Sequence, residues 1–228
     1  MVDSQWSLYS LLIAVAGIGS FYLWYERRGS SPREMALIAT LAALAGLSRL
    51  PFAAVPGLQP TTFLVLICGY VFGAAPGFLV GSMAAFTSNL FLGQGPWTPW
   101  QMIAWGLAGV CGGLIGLRKE KMNGKGKEMV SRWLLVSLAF LWGFIFGAIL
   151  NFWHWLTFIY PLTLHSYLAT LLISIWFDAV HAVGNALFVL FVGGELIKLL
   201  TRFKRRLTVS GLPVERLNGE VVHHEKNG

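Results

Sequence analysis

Three polar residues in an otherwise apolar run are the first sign of chemistry in this chain. Asp178, His181 and Asn185 stand at i, i+3 and i+7 in Phe177-Asp178-Ala179-Val180-His181-Ala182-Val183-Gly184-Asn185, so a helix presents them on one face. On lenient insertion scales a carboxylate at mid-membrane costs about 2.5–3.5 kcal/mol, so it needs a partner or a wet cavity. Asp178 and His181 fit a packing pair, a titrating proton-transfer pair, or the floor of a binding cavity. A second cluster, Gly95-Pro96-Trp97-Thr98-Pro99-Trp100-Gln101 with Trp105 just beyond, joins flat indole surfaces to an amide that both donates and accepts. Tryptophan is ordinary at a membrane boundary, but an aromatic belt alone does not explain this density of Pro, Trp and Gln, which suits gripping a flat guest molecule. Gln59 and Asn89 offer further amides, and Arg49 is a candidate partner for Asp178 or for an anionic group of a ligand.

Other chemistries lack their residues. The sequence has no Gly-x-x-x-x-Gly-Lys-[Ser/Thr] loop, so the chain is not expected to hydrolyse ATP by itself. Gly124-Lys125-Gly126-Lys127 reads as a charged loop, and His223 and His224 sit in a polar tail. No serine or cysteine nucleophile stands in a recognisable motif near Asp178 and His181, and two residues make a poor metal site. Cys68 and Cys111 lie in apolar runs and read as core. Neither an enzyme nor a cofactor is expected.

The elements that must position these residues follow from composition. Of 228 residues 56% are hydrophobic and 12% charged, with a mean hydropathy of +0.64, whereas a soluble domain carries about a quarter charged residues. Seven apolar stretches, 6–25, 34–50, 61–74, 77–92, 99–117, 133–152 and 167–197, approach the roughly 20 residues a helix needs to cross a bilayer. They are continuous, without the alternation of a barrel strand, so the expected fold is an all-α integral membrane helical bundle. A net charge of +7 is of the sign that suits nucleic acid, but its placement argues otherwise. Sixteen of the seventeen basic residues fall on one side of an alternating seven-span path, in segments around 27–33, 118–132 and after 197; Arg49 alone falls on the other. The positive-inside rule then sets the N-terminus outside and the C-terminus in the cytoplasm, in a multi-pass plasma-membrane protein. The first stretch reads as an uncleaved anchor, since Asp3 precedes it and Arg27 and Arg28 follow it. Residues 1–33 form this anchor and a basic loop, 34–200 a six-helix membrane domain, and 201–228 a basic, mobile tail. No internal repeat is visible.

Small residues recur at helical spacing in the second stretch, at Ala36, Ala39, Ala43 and Gly46. Such a face lets backbones approach closely, and packing within the bundle is its ordinary use, packing against another protein its alternative. A similar ladder, Gly77, Gly81 and Ala85, leads up the fourth stretch to Asn89 and reads as internal.

Taken together, Ala39-x-x-x-Ala43, Val55-Pro56-Gly57-Leu58-Gln59-Pro60, Asn89 before the Trp-Thr-Pro-Trp-Gln run, and Asp178-x-x-His181-x-x-Gly184-Asn185 resemble the substrate-binding S components of energy-coupling factor (ECF) vitamin transporters. The resemblance covers about 34–200 and is greatest for the cobalamin-type members. It implies a six-helix fold whose outer half binds a vitamin. It implies docking through Ala39 and Ala43 onto a transmembrane energising subunit driven by two cytoplasmic ATPase subunits. The substrate residues it implies are Arg49, Gln59, Asn89, Trp97, Trp100, Gln101, Trp105, Asp178, His181 and Asn185. The extra N-terminal span and the long tail depart from the family pattern. A stand-alone proton-coupled carrier or small intramembrane enzyme using Asp178 and His181 is the alternative.

Overall fold

The computed structural model describes residues 3–121 and 127–209; Gly124, Lys125, Gly126, His223, His224 and the rest of the tail from 210 lie outside the described residues. The described residues are all helix, turn and loop: α1 (Asp3–Arg27), α2 (Pro32–Leu47), a 3-10 turn (Leu50–Phe52), α3 (Thr61–Phe72), α4 (Ala74–Leu92), α5 (Thr98–Lys121), α6 (Lys127–Phe158), α7 (Leu164–Phe188), a π-helical turn (Val189–Gly193) and α8 (Gly194–Val209). Six helical segments are long and apolar enough to cross a membrane, and α3 is a shorter apolar helix. Its twelve residues, about 18 Å at 1.5 Å each, undershoot a bilayer. Eleven of them are buried, so protein rather than lipid meets its ends and the short length is tolerated.

Local sequence sets the boundaries. Ser31 caps α2 by accepting from the Glu34 amide at 3.2 Å, with Pro32 in the first helical position. Thr163 and Ser166 cap α7 reciprocally. Gly73, at φ +105°, turns α3 straight into α4.

The core is where α3, α4 and α5 meet. A Cβ on Gly77 would stand 2.7 Å from the Gly69 Cα and 2.6 Å from the Gly109 carbonyl oxygen, so three helices touch at backbone contact distance. Gly81 lies equally close to the Trp105 backbone and Ala85 is fully buried, so this ladder packs internally, as its spacing suggested. The α2 ladder divides. Gly46 packs on α4, with the Ala84 carbonyl oxygen 2.8 Å from where its Cβ would be, but Ala36 and Ala39 are exposed and Ala43 is half-buried. Internal packing therefore holds for Gly46 and not for the first half of the ladder.

Two segments lie at the edges. Helix α1 is tied to the core at each end, by Ser7 to Thr157 (3.1 Å), and by Tyr22 to Ser82 (2.9 Å) and Tyr25 to Glu34. The stretch read as 167–197 runs from Leu164, widens into the π turn, and continues as α8 well past residue 201. Arg132 donates to the Leu190 carbonyl at 2.6 Å inside that turn, and Lys204 to the Val71 carbonyl at 2.8 Å. Basic side chains thus satisfy backbone acceptors at one end of the bundle.

Candidate functional site

At the opposite end, helices α2, α3, α4, α5 and α7 converge on one polar network. Arg49, just beyond α2, donates from Nη1 to Ser88 Oγ at 2.7 Å and Asn89 Oδ1 at 3.2 Å. The Asn89 amide nitrogen donates in turn to Thr98 Oγ1 (3.0 Å) and Gln101 Oε1 (2.7 Å) on α5. The Arg49 guanidinium also lies over the Trp105 ring, 4.8 Å from its centroid, within cation–π range. Trp105, fully buried, donates to Thr62 Oγ1 at 2.8 Å, and the same hydroxyl is 2.8 Å from His181 Nε2. Phe146 of α6 closes the core side, its ring 4.9 Å from Trp105 and 5.0 Å from His181.

Positioning these groups takes polar residues at helix ends. Thr61, next to Thr62, donates to the Ala45 carbonyl at 2.8 Å and so fixes the start of α3 against α2. The α4 glycine ladder delivers Ser88 and Asn89 to the same level. The loop after the 3-10 turn leans back onto α7: Gly57 takes φ +86°, and a Cβ there would meet the Phe177 carbonyl oxygen at 2.6 Å. Leu58 then packs onto Gly184, beside Asn185.

Three polar side-chain groups in this region are buried without a hydrogen-bond partner: both ends of the fully buried Asn185 amide, Gln59 Oε1 and Trp100 Nε1. Unpaired buried groups cost about 1–3 kcal/mol each, and native structures keep them rarely.

The expected site residues are thus distributed unevenly. Arg49, Asn89, Gln101, Trp105 and His181 form one network, with Asn185 one turn along α7. Trp97 turns toward α6, edge-on to Trp153 at 6.1 Å, and Trp100 meets Phe152 at 5.9 Å and faces α1. The three tryptophans therefore do not share a face. Asp178 is half-buried and accepts from Ser174 at 2.8 Å, which accepts from Asn151 at 2.7 Å. It is bonded to neither His181 nor Arg49; among the described residues Arg49 has no carboxylate within 4.0 Å. Thr62, Ser88, Thr98 and Phe146 were not singled out from the sequence. Thr61-Thr62 and Ser88-Asn89 are adjacent polar pairs inside apolar runs, and that was the available signal. Among the described residues no group of three His, Cys, Asp or Glu side chains could hold a metal ion.

Residues 33–193 match the family model described as ECF transporter, substrate-specific component. A UPF0397 protein of Vibrio atlanticus (strain LGP32) is 29% identical over 122 residues, covering 51% of this chain and 66% of the relative. A UPF0397 protein of Aliivibrio salmonicida (strain LFI1238) is 32% identical over 92 residues, covering 38% of this chain and 48% of the relative. The chain thus spans two thirds or less of the curated relatives it matches. No solved structure matches it. Helices α1 and α8 fall outside the matched segment, whereas α2 to α7 and every member of the polar network fall within it. A match over that length places the chain in the family of substrate-specific components of ECF transporters.

Proposed function

We propose that this chain captures a vitamin, a cobalamin-like corrinoid in preference, at the extracellular face of the plasma membrane. Import then depends on a transmembrane energising subunit and two cytoplasmic ATPase subunits. Arg49 carries the reading. It is a guanidinium at the loop-bearing end of the bundle, held by neutral groups and an indole face, with no carboxylate among the described residues to neutralise it. An uncompensated cation within a membrane domain is costly, and an incoming anion relieves that cost. Cobalamin brings a phosphodiester in its nucleotide loop and amides around its ring, which suit Arg49 and the amides of Gln59, Asn89, Gln101 and Asn185. The concentration of basic residues at the other end supports a mouth that opens outside and a C-terminus in the cytoplasm.

Purified protein titrated with cobalamin, dimethylbenzimidazole and the other B vitamins is expected to show tryptophan quenching with a Kd below 1 μM for a corrinoid, on the order of −8 kcal/mol or tighter. Binding of no member of that panel below micromolar concentration would refute the vitamin assignment. The proton-carrier alternative gains nothing from the geometry, because Asp178 and His181 are bonded to different helices' hydroxyls rather than to each other.

Docking is assigned to the exposed small-residue face of α2. Ala39 is exposed and Ala43 half-buried, so Ala39→Leu/Ala43→Leu is expected to bind vitamin with wild-type affinity while failing to co-purify with the energising subunit. Recovery of the double mutant in the full complex at wild-type yield would assign that face to lipid instead.

A further inference from the structure

Helix α1 lies along α5 and α6, tied near both ends, with Ala14 and Ile18 buried between the ties and an open groove beside them. Near one end Ser7 bonds to Thr157; near the other the Phe21 and Phe78 rings touch, 4.2 Å apart, and Tyr22 bonds to Ser82. Between these ties runs a half-open cavity of about 650 Å³, walled by Tyr9, Ile13 and Gly17 of α1, Trp100 and Ile103 of α5, and Phe152 of α6. The residue at position 17 faces free space, since a Cβ there meets no atom within 4 Å. The cavity lies wholly among membrane-spanning helices and is almost entirely apolar.

We propose that this groove is an acyl-chain site, occupied by one chain of a bilayer phospholipid. Shape, chemistry and continuity select that occupant. From Trp6 to Phe21 the lining runs about 22 Å at 1.5 Å per residue, roughly three quarters of a 30 Å hydrocarbon core, so the groove can hold most of the length of an acyl chain that enters from one leaflet. It lacks the convergent polar groups that orient a ring-bearing vitamin, which needs hydrogen-bond partners on its rim. Left empty, its walls would lose their dispersion contacts on one side, and the nearest molecule able to restore them is hydrocarbon. The groove is continuous with a lipid-facing surface: Trp6, Tyr9 and Ile13 are 55%, 52% and 72% exposed. Trp6 and Tyr9, near the start of α1, are of the type that settles at headgroup level. Because α1 lies outside the segment the family model matches, the site belongs to what this chain adds to the family's fold.

The full chain reconstituted in phosphatidylcholine–phosphatidylglycerol bilayers containing a phosphatidylcholine with a diazirine on its acyl chain provides the test. Photolabelling is expected to concentrate at Ile103 and Phe152 over the open lipid face at Ile173 and Trp176, by about fivefold or more. Filling the groove by Gly17→Phe, or by the smaller Gly17→Leu, is expected to remove that excess while labelling at Ile173 stays unchanged. Equal labelling of groove and open face in the wild-type protein overturns the proposal without recourse to any variant. Protection of the groove by cobalamin would give it to the substrate, and chain-to-chain crosslinks through Ile13 to a second copy; either result overturns it as well.

Discussion

Gly109→Leu is expected to abolish the cooperative thermal melt of the detergent-purified protein, with the chain eluting as aggregate on size exclusion. The reason is the mutual contact of three backbones. A Cβ on Gly109 would fall onto the Gly77 backbone, while those on Gly69 and Gly77 would fall onto that of Gly109. Extra methylenes in a packed interior cost about 1–3 kcal/mol when side chains can move aside. Here the obstacle is peptide, which cannot change rotamer, so the helices must separate and the cost exceeds that range. Gly17→Ala is the matched control, the same loss of glycine where nothing lies within 4 Å, and is expected to leave the melt within about 0.5 kcal/mol of wild type. A normal melt for Gly109→Leu would mean that α3, α4 and α5 do not meet as described, and the network at their ends would lose its support.

Much of this bundle could be read from hydropathy because lipid imposes a one-dimensional rule: each crossing needs a continuous apolar run. The seven stretches correspond to α1 to α7, including α3, whose brevity makes sense only once its burial is seen. The π turn was invisible, since a change of hydrogen-bond register leaves no mark in composition, and with it the extension of α8 beyond 201. Helical phase was equally readable. Asp178, His181 and Asn185 do point inward together, one half-buried and two buried. Partners were not readable, because phase says which way a residue faces and not what stands opposite. Asp178 meets Ser174 on its own helix, whereas His181 meets Thr62, 119 positions away. Residue type gave no measure of burial at Trp105: its indole suggested a stacking platform for a ligand, and its ring is fully buried under Arg49. The small-residue ladder of α2 shows the same limit: spacing identified the close-packing face, but only the neighbouring helices determine that Gly46 is covered and Ala39 is not.

Arg49→Ala is expected to weaken cobalamin binding by about 2–4 kcal/mol, the range for removing one partner of a charged, hydrogen-bonded contact, which is roughly a 30- to 700-fold rise in Kd. Arg49→Lys should fall between wild type and alanine. It keeps the charge but loses the planar fork that bonds Ser88 and Asn89 while lying on the indole of Trp105. A weakened mutant alone would not separate lost ligand contact from a disturbed network, since Arg49 also supports Asn89 and Trp105. Cobinamide, the corrinoid without the phosphodiester, makes that separation through a double-mutant cycle. If Arg49 meets the phosphodiester, wild type should prefer cobalamin to cobinamide, and Arg49→Ala should erase that preference while leaving cobinamide affinity nearly unchanged. If Arg49 acts only as a brace, both ligands weaken in parallel and the coupling is zero. Wild-type cobalamin affinity in Arg49→Ala would remove the ground on which an anionic vitamin is assigned to this mouth. The fluorescence of Trp105 offers an independent reading of the same event, because an anion drawing the guanidinium off the indole face must change the field that the ring experiences.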